Sequence, residues 1–136
     1  MKKLSYSLKE GLILLFFFII SQVLYKYFPG NIYLLKWTAD RYYILFILLL
    51  GLNYFEKYKF SQSLVFGHVI GLILGGIIGQ VVYFSNIKKI APGMSAEEVY
   101  RLSNNPAVWI YIFIMLIFFI YGLYREKKSK KYKAKS

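Results

Sequence analysis

Apolar residues fall into four long blocks separated by short polar segments, and that spacing sets the expected architecture. The blocks lie at about 8–28, 39–55, 63–84 and 106–124. Blocks of roughly 17 to 22 residues match the length a helix needs to cross a hydrocarbon core about 30 Å thick. Pro29-Gly30-Asn31 carries turn chemistry after the first block, and Glu56-Lys57-Tyr58-Lys59 makes a tight polar turn after the second. The one long connection runs over 85–105. The pattern predicts an all-α integral membrane four-helix bundle: a single transmembrane domain over 1–124, then a basic tail over 125–136 read as disordered beyond Lys127.

The second block is the short one. Its uncharged part, Tyr42 to Phe55, is 14 residues, which as a helix spans about 21 Å. Either the bilayer thins there or Asp40 and Arg41 sit deep; Arg41 can snorkel, whereas Asp40 has less reach. Just before it, the short amphipathic stretch 32–37 holds Tyr33, Lys36 and Trp37, residue types that favour the headgroup zone. The start of the chain, Met1-Lys2-Lys3 followed by apolar residues, imitates a secretory signal. The small residues of a cleavage site are replaced by Ser21-Gln22-Val23-Leu24-Tyr25, so an uncleaved first helix is expected.

The long loop contains a helix start. Ser95 is placed to cap the amide of Glu98, the Glu98 side chain to return to the amide of Ser95, and Met94 and Val99 to form a hydrophobic staple. A short amphipathic helix is expected over 96–103, exposing Glu97 and Arg101 and laying Val99 and Leu102 on the bundle or the lipid. Asn105 and Pro106 then open the fourth crossing as cap and first helical residue. Over about a dozen residues, Pro92-Gly93-Met94-Ser95-Ala96-Glu97-Glu98-Val99 with Leu102 resembles the helix entry of a small family of bacterial outer-membrane assembly lipoproteins. What the resemblance implies is a shared way of starting a helix.

Inside the third block, Gly67, Gly71, Gly75 and Gly79 recur every four residues. Each step of four turns a helix by about 400°, so the stripe drifts about 40° per glycine and favours a right-handed crossing. In lipid, helices associate where small residues let backbones approach. This glycine zipper is read as a docking face, either inside one bundle or against a second copy or a larger membrane partner.

Composition and charge then narrow the class. Of 136 residues, 58% are hydrophobic and 21% aromatic, more than a water-soluble chain this short can hide. Cysteine is absent, which excludes thiolate chemistry, disulfides and membrane thiol oxidoreduction. The net charge is +12, and seven of the bases fall between Arg125 and Lys135. Because they abut an apolar helix, anionic headgroups of the lipid bilayer are the nearer polyanion and nucleic acid is not expected. Arg125, Lys127, Lys128, Lys130 and Lys131 are the lipid-surface candidates, as an orientation anchor or a dock for an acidic partner. With both termini cytoplasmic, twelve bases lie inside and six outside, so that orientation is expected. Abundant Lys, Ile, Tyr, Phe and Asn are compatible with AT-rich coding and a multi-pass protein of a bacterial cell membrane.

Chemistry-bearing residues are few. His68, the only histidine, lies on the glycine side of its helix and is read as a structural hydrogen-bonding residue or a proton-sensing one. Ser21, Gln22, Asn53 and Gln80 are neutral polar groups suited to interhelical hydrogen bonds. Glu10, Asp40 and Glu56 are read at the edges of their crossings, which weighs against a proton-coupled exporter. One His and one Asp near opposite faces, no Cys and no phosphate loop argue against an enzyme, a metal site or a cofactor. The expectation is a non-enzymatic accessory or interaction subunit of a membrane complex, or an immunity-type protein. The alternative is a homo-oligomeric channel or small-solute transporter subunit, with His68, Gln22, Asn53, Gln80, Asp40 and Arg41 as pathway or sensing candidates.

Overall fold

A computed structural model describes residues 2–27 and 33–134, apart from the side chains of Lys2, Lys3 and Lys133. The expected turn at Pro29-Gly30-Asn31, the end of the first crossing at Phe28 and the last tail residues, Lys135 included, lie outside the described residues. Six helices and no strand occur among the described residues: α1 (Lys2–Tyr27), α2 (Tyr33–Ala39), α3 (Tyr42–Tyr54), α4 (Tyr58–Ile87), α5 (Ala96–Ser103) and α6 (Ala107–Lys133). Three stretches, Leu4–Tyr27, Tyr58–Ile87 and Ala107–Tyr132, are long and apolar enough to cross a membrane.

The second expected crossing is divided. A turn at Asp40 and Arg41 separates α2 from the 13-residue α3, which is about 20 Å long. Both charged residues are exposed at this break, and the Arg41 guanidinium donates to the Trp37 carbonyl at 2.9 Å while lying over the Trp37 ring. The helix stops where two side chains that favour water meet, so neither residue is drawn into a continuous crossing.

α3 ends in a Schellman turn. The Glu56 amide donates to the Asn53 carbonyl at 3.1 Å and the Lys57 amide to the Leu52 carbonyl at 2.8 Å, with Glu56 at φ 59°. A side chain in this left-handed position costs about 1–2 kcal/mol, so the turn stands on its surroundings. It reverses the chain within three residues and delivers α4. Its amino end is capped from the far end of the chain: one Glu126 carboxylate oxygen accepts from the amides of Lys59 at 3.2 Å and Phe60 at 3.3 Å.

α4 touches every other helix, and most extensively α6. The glycines explain the closeness. A Cβ on Gly67 would stand 2.5 Å from the Phe118 Cβ, one on Gly71 2.9 Å from the Tyr111 ring, and one on Gly75 3.1 Å from the Ala107 carbonyl oxygen. One on Gly79 would stand 2.6 Å from the Ala107 Cα. Gly122 returns the favour from α6, where a Cβ would stand 2.5 Å from the Phe60 ring. The opposite sides of α4 pack on α1 and α3 around Leu14, Leu49, Leu64 and Val65, and a second buried group joins Leu34, Leu72, Ala107 and Tyr111.

α4 and α6 outrun the apolar blocks that predict them. α6 continues through the basic tail to Lys133, where disorder beyond Lys127 was the expectation. After Gly122 this stretch has no Gly or Pro, and Lys, Arg, Glu and Ala are good helix formers whose positive charges suit a helix carboxyl end. The loop helix α5 spans the expected residues. Ser95 accepts from the Glu98 amide at 3.3 Å and its own amide donates to Glu98 Oε2 at 2.9 Å. Those bonds, the amide of Ser95 first and its hydroxyl second, hold the Glu98 carboxyl below the usual carboxylate range. Gly93 precedes the box at φ 96°, a conformation that favours glycine.

Candidate functional site

Two layers of buried polar side chains lie inside the apolar bundle. The first gathers on His68, which is fully buried. Its Nδ1 lies 2.8 Å from the Tyr111 hydroxyl on α6 and its Nε2 2.8 Å from the Tyr42 hydroxyl on α3. A neutral imidazole donates from one ring nitrogen and accepts at the other, so one of the two tyrosine hydroxyls accepts from the ring and the other donates to it. The Ser21 hydroxyl, buried on α1, donates to the Phe17 carbonyl at 2.7 Å. Among the described residues no carboxylate bonds the imidazole, and an unbalanced imidazolium in apolar surroundings would be costly. Both tyrosine rings stand edge-on to the imidazole, which fixes its plane.

The second layer gathers on Glu10, which is 4% exposed. Its Oε2 accepts from Asn53 Nδ2 at 2.7 Å and from the Ser61 hydroxyl. The α3–α4 turn makes this possible by placing the last turn of α3 and the first turn of α4 on the same face of α1. Glu10 Oε1 and Asn53 Oδ1 are buried with no hydrogen-bond partner among the described residues. The reading of Glu10 at the edge of its crossing is therefore corrected: α1 begins at Lys2, two turns earlier than the apolar pattern suggests, and α3 and α4 close over the carboxylate.

Ser61 and His68 are seven residues apart on α4, so the layers are separated by about 10 Å along the helix. Leu14, Leu49 and Leu64, all buried, fill the space between them.

The other singled-out residues are scattered. Gln22 is exposed on α1, and Asp40 and Arg41 are exposed at the α2–α3 turn. Gln80 lines a cavity of about 600 Å³ bounded by α1, α2 and α4, and its Oε1 is buried with no partner among the described residues. Of the six pathway candidates, only Asn53 and His68 enter the buried layers. Among the basic residues, Lys127, Lys128, Lys130 and Lys131 are exposed, whereas Arg125 is half-buried, reaching the Ser63 hydroxyl at 3.5 Å and lying over the Tyr121 ring. The groove beside the tail lysines is lined by Tyr124 and Tyr132.

Tyr42, Tyr111, Ser61 and the burial of Glu10 were not visible as a site from the sequence. Tyr42 reads as an interfacial aromatic at the head of an apolar run, and Tyr111 as one aromatic among many. The available signal was the lone His on a glycine-faced helix, which requires polar partners on whatever packs there. Among the described residues no group of three His, Cys, Asp or Glu side chains could hold a metal ion.

Comparison of the chain with protein-family models, with curated proteins and with solved structures returns no match in any of the three, so the site is read from its own geometry.

Proposed function

We propose that this is a multi-pass protein of a cell membrane, a four-crossing bundle with both termini cytoplasmic, that acts as a non-enzymatic accessory or interaction subunit of a membrane complex or as an immunity-type protein. In this reading α3 supplies the second crossing, short and locally thinning the bilayer. The observation that carries the non-conducting role is the apolar layer of Leu14, Leu49 and Leu64 between the two polar layers. A water-filled path would have to open through it. The glycine face of α4 is occupied by α6 of the same chain, so a partner would meet the outward apolar faces of α1, α3 and α6. Exposed Phe16, Ile47, Trp109, Phe113 and Ile120 lie there, in contact with lipid or with another membrane protein.

The test is affinity purification of the full chain from native membranes in mild detergent, together with flux measurements on the purified protein in liposomes. Stoichiometric recovery of a membrane partner with no flux from the protein alone supports the reading. Ion or solute flux by the protein alone contradicts it. The second reading, a homo-oligomeric channel or small-solute transporter subunit, is favoured by one observation: the buried carboxylate of Glu10 with an unpartnered oxygen. Ion and substrate pathways are among the functions that ionisable groups buried in membrane helices serve.

A further inference from the structure

Buried acceptor oxygens without donors are rare in folded proteins, because each forfeits the hydrogen bonds it had in water. Here two belong to neighbouring side chains. Glu10 Oε1 and Asn53 Oδ1 are both unpartnered, on residues that are 4% and 1% exposed and already joined through Glu10 Oε2 and Asn53 Nδ2 at 2.7 Å. Among the described residues no basic side chain pairs with the carboxylate, and its only donors are the neutral groups of Asn53 and Ser61. The layer thus has spare lone pairs and a carboxyl group with no positive partner among the described residues.

We propose that Glu10, Asn53 and Ser61 form a binding site for a small monovalent alkali cation, Na⁺ or K⁺. The donor set is all oxygen, which suits hard cations and not zinc or copper. One carboxylate balances one positive charge; a divalent ion would leave a net charge in apolar surroundings, where uncompensated charge is expensive. A cation would meet both orphaned oxygens at once; a proton on Glu10 Oε1 donating to Asn53 Oδ1 would satisfy the same pair, and the dependence on salt separates the two occupants. Of the three residues, Asn53 lines an open surface groove of about 570 Å³ between α1 and α3, and Ser7 in the same groove lies one turn before Glu10. The carbonyl end of α3 carries the negative end of its dipole and adjoins Asn53. The amino end of α4, which would favour an anion, is already capped by Glu126.

This site goes beyond the accessory role and stands or falls independently of whether a partner is captured. The experiment is carbodiimide labelling of the purified full chain in detergent, at fixed pH and fixed ionic strength, in NaCl, KCl or choline chloride. A hydrophobic carbodiimide modifies a buried, uncomplexed carboxylic acid, and peptide mass spectrometry reports modification at Glu10. Sodium or potassium should slow labelling of Glu10 in a saturable way, about tenfold at ten times the dissociation constant, since only the unoccupied site reacts. Equal rates in all three salts would mean that the layer holds only water or a proton, and would overturn the proposal. Should Glu10 resist the reagent in every salt, the thermal unfolding midpoint decides. It should rise in NaCl or KCl relative to choline chloride for the wild type, and an identical midpoint in the three salts overturns the proposal. Glu10→Gln, provided it keeps native helicity, should lose the salt-specific shift; a shift that persists in a folded Glu10→Gln places the cation elsewhere and equally overturns it.

Discussion

At the scale of single residues, His68 ties three helices together through the hydroxyls of Tyr42 and Tyr111. Hydrogen bonds between membrane helices are worth about 0.6 kcal/mol on average and up to about 1.7. Tyr111→Phe should therefore cost about that much in detergent unfolding. His68→Phe should cost more, because it strands two buried hydroxyls. A double-mutant cycle should show that the Tyr42→Phe and Tyr111→Phe effects shrink once His68 is gone; additive costs would dissociate the network. The glycines separate just as sharply. Gly79→Val pushes into the backbone of Ala107 and should lower stability by about 1–3 kcal/mol. Gly76, one turn away, faces open space, with no heavy atom within 4 Å among the described residues. Gly76→Ala should be neutral or stabilise by up to about 1 kcal/mol through helix propensity. Equal losses at the two positions would mean that α4 and α6 do not meet as described. The glycine spacing was legible in the chain because four-residue periodicity is local. The identity of the facing residues was not, since Phe118, Tyr111 and Ala107 lie some 30 to 50 positions further along. Glu10 illustrates the same limit: its partners sit 43 and 51 residues away, and position within a block says nothing of what closes over it.

At the scale of elements, the capping box of α5 was fully legible, because every bond in it joins residues three apart. It also carries a pH dependence with a definite sign. Glu98 is held below its ordinary range in the folded state. Its contribution is therefore complete above the unfolded value of about 4.3 and is lost as pH falls from there through the lower folded value. NMR chemical shifts of residues 96–103 in micelles should stay helical at pH 6 and lose helicity below pH 4, while the glycine-bearing middle of α4 is unchanged. Ser95→Ala should fray the helix at both pH values and flatten the difference. The break between α2 and α3 was half legible. Asp40 and Arg41 marked a charged edge to the apolar run, but whether the helix would carry them inward or stop was a matter of tertiary cost. The extension of α6 was hidden for the opposite reason: a basic run reads as solvated tail until Glu126 is seen holding the start of α4. Glu126→Gln should weaken that cap, and faster amide exchange at Lys59 and Phe60 would report it.

At the scale of the whole molecule, the helices pack around α4, with two buried polar layers and an apolar layer between them. The exposed lysines of the α6 extension, Lys127, Lys128, Lys130 and Lys131, suit an anionic surface at about 1 kcal/mol per nearby base, screened by salt. Three helices have the length of a crossing by composition alone; the proposed topology needs α3 as well. Parity decides between them, for four crossings put the two ends of the chain on one side and three put them on opposite sides. The chain has no cysteine, so each introduced thiol is unique. The most direct measurement is labelling of Ser5→Cys, Lys89→Cys and Lys130→Cys with a membrane-impermeant maleimide, before and after permeabilising cells. With four crossings Lys89→Cys should react in intact cells and Ser5→Cys and Lys130→Cys only after permeabilisation; Ser5→Cys and Lys130→Cys reacting from opposite sides would contradict the proposed topology.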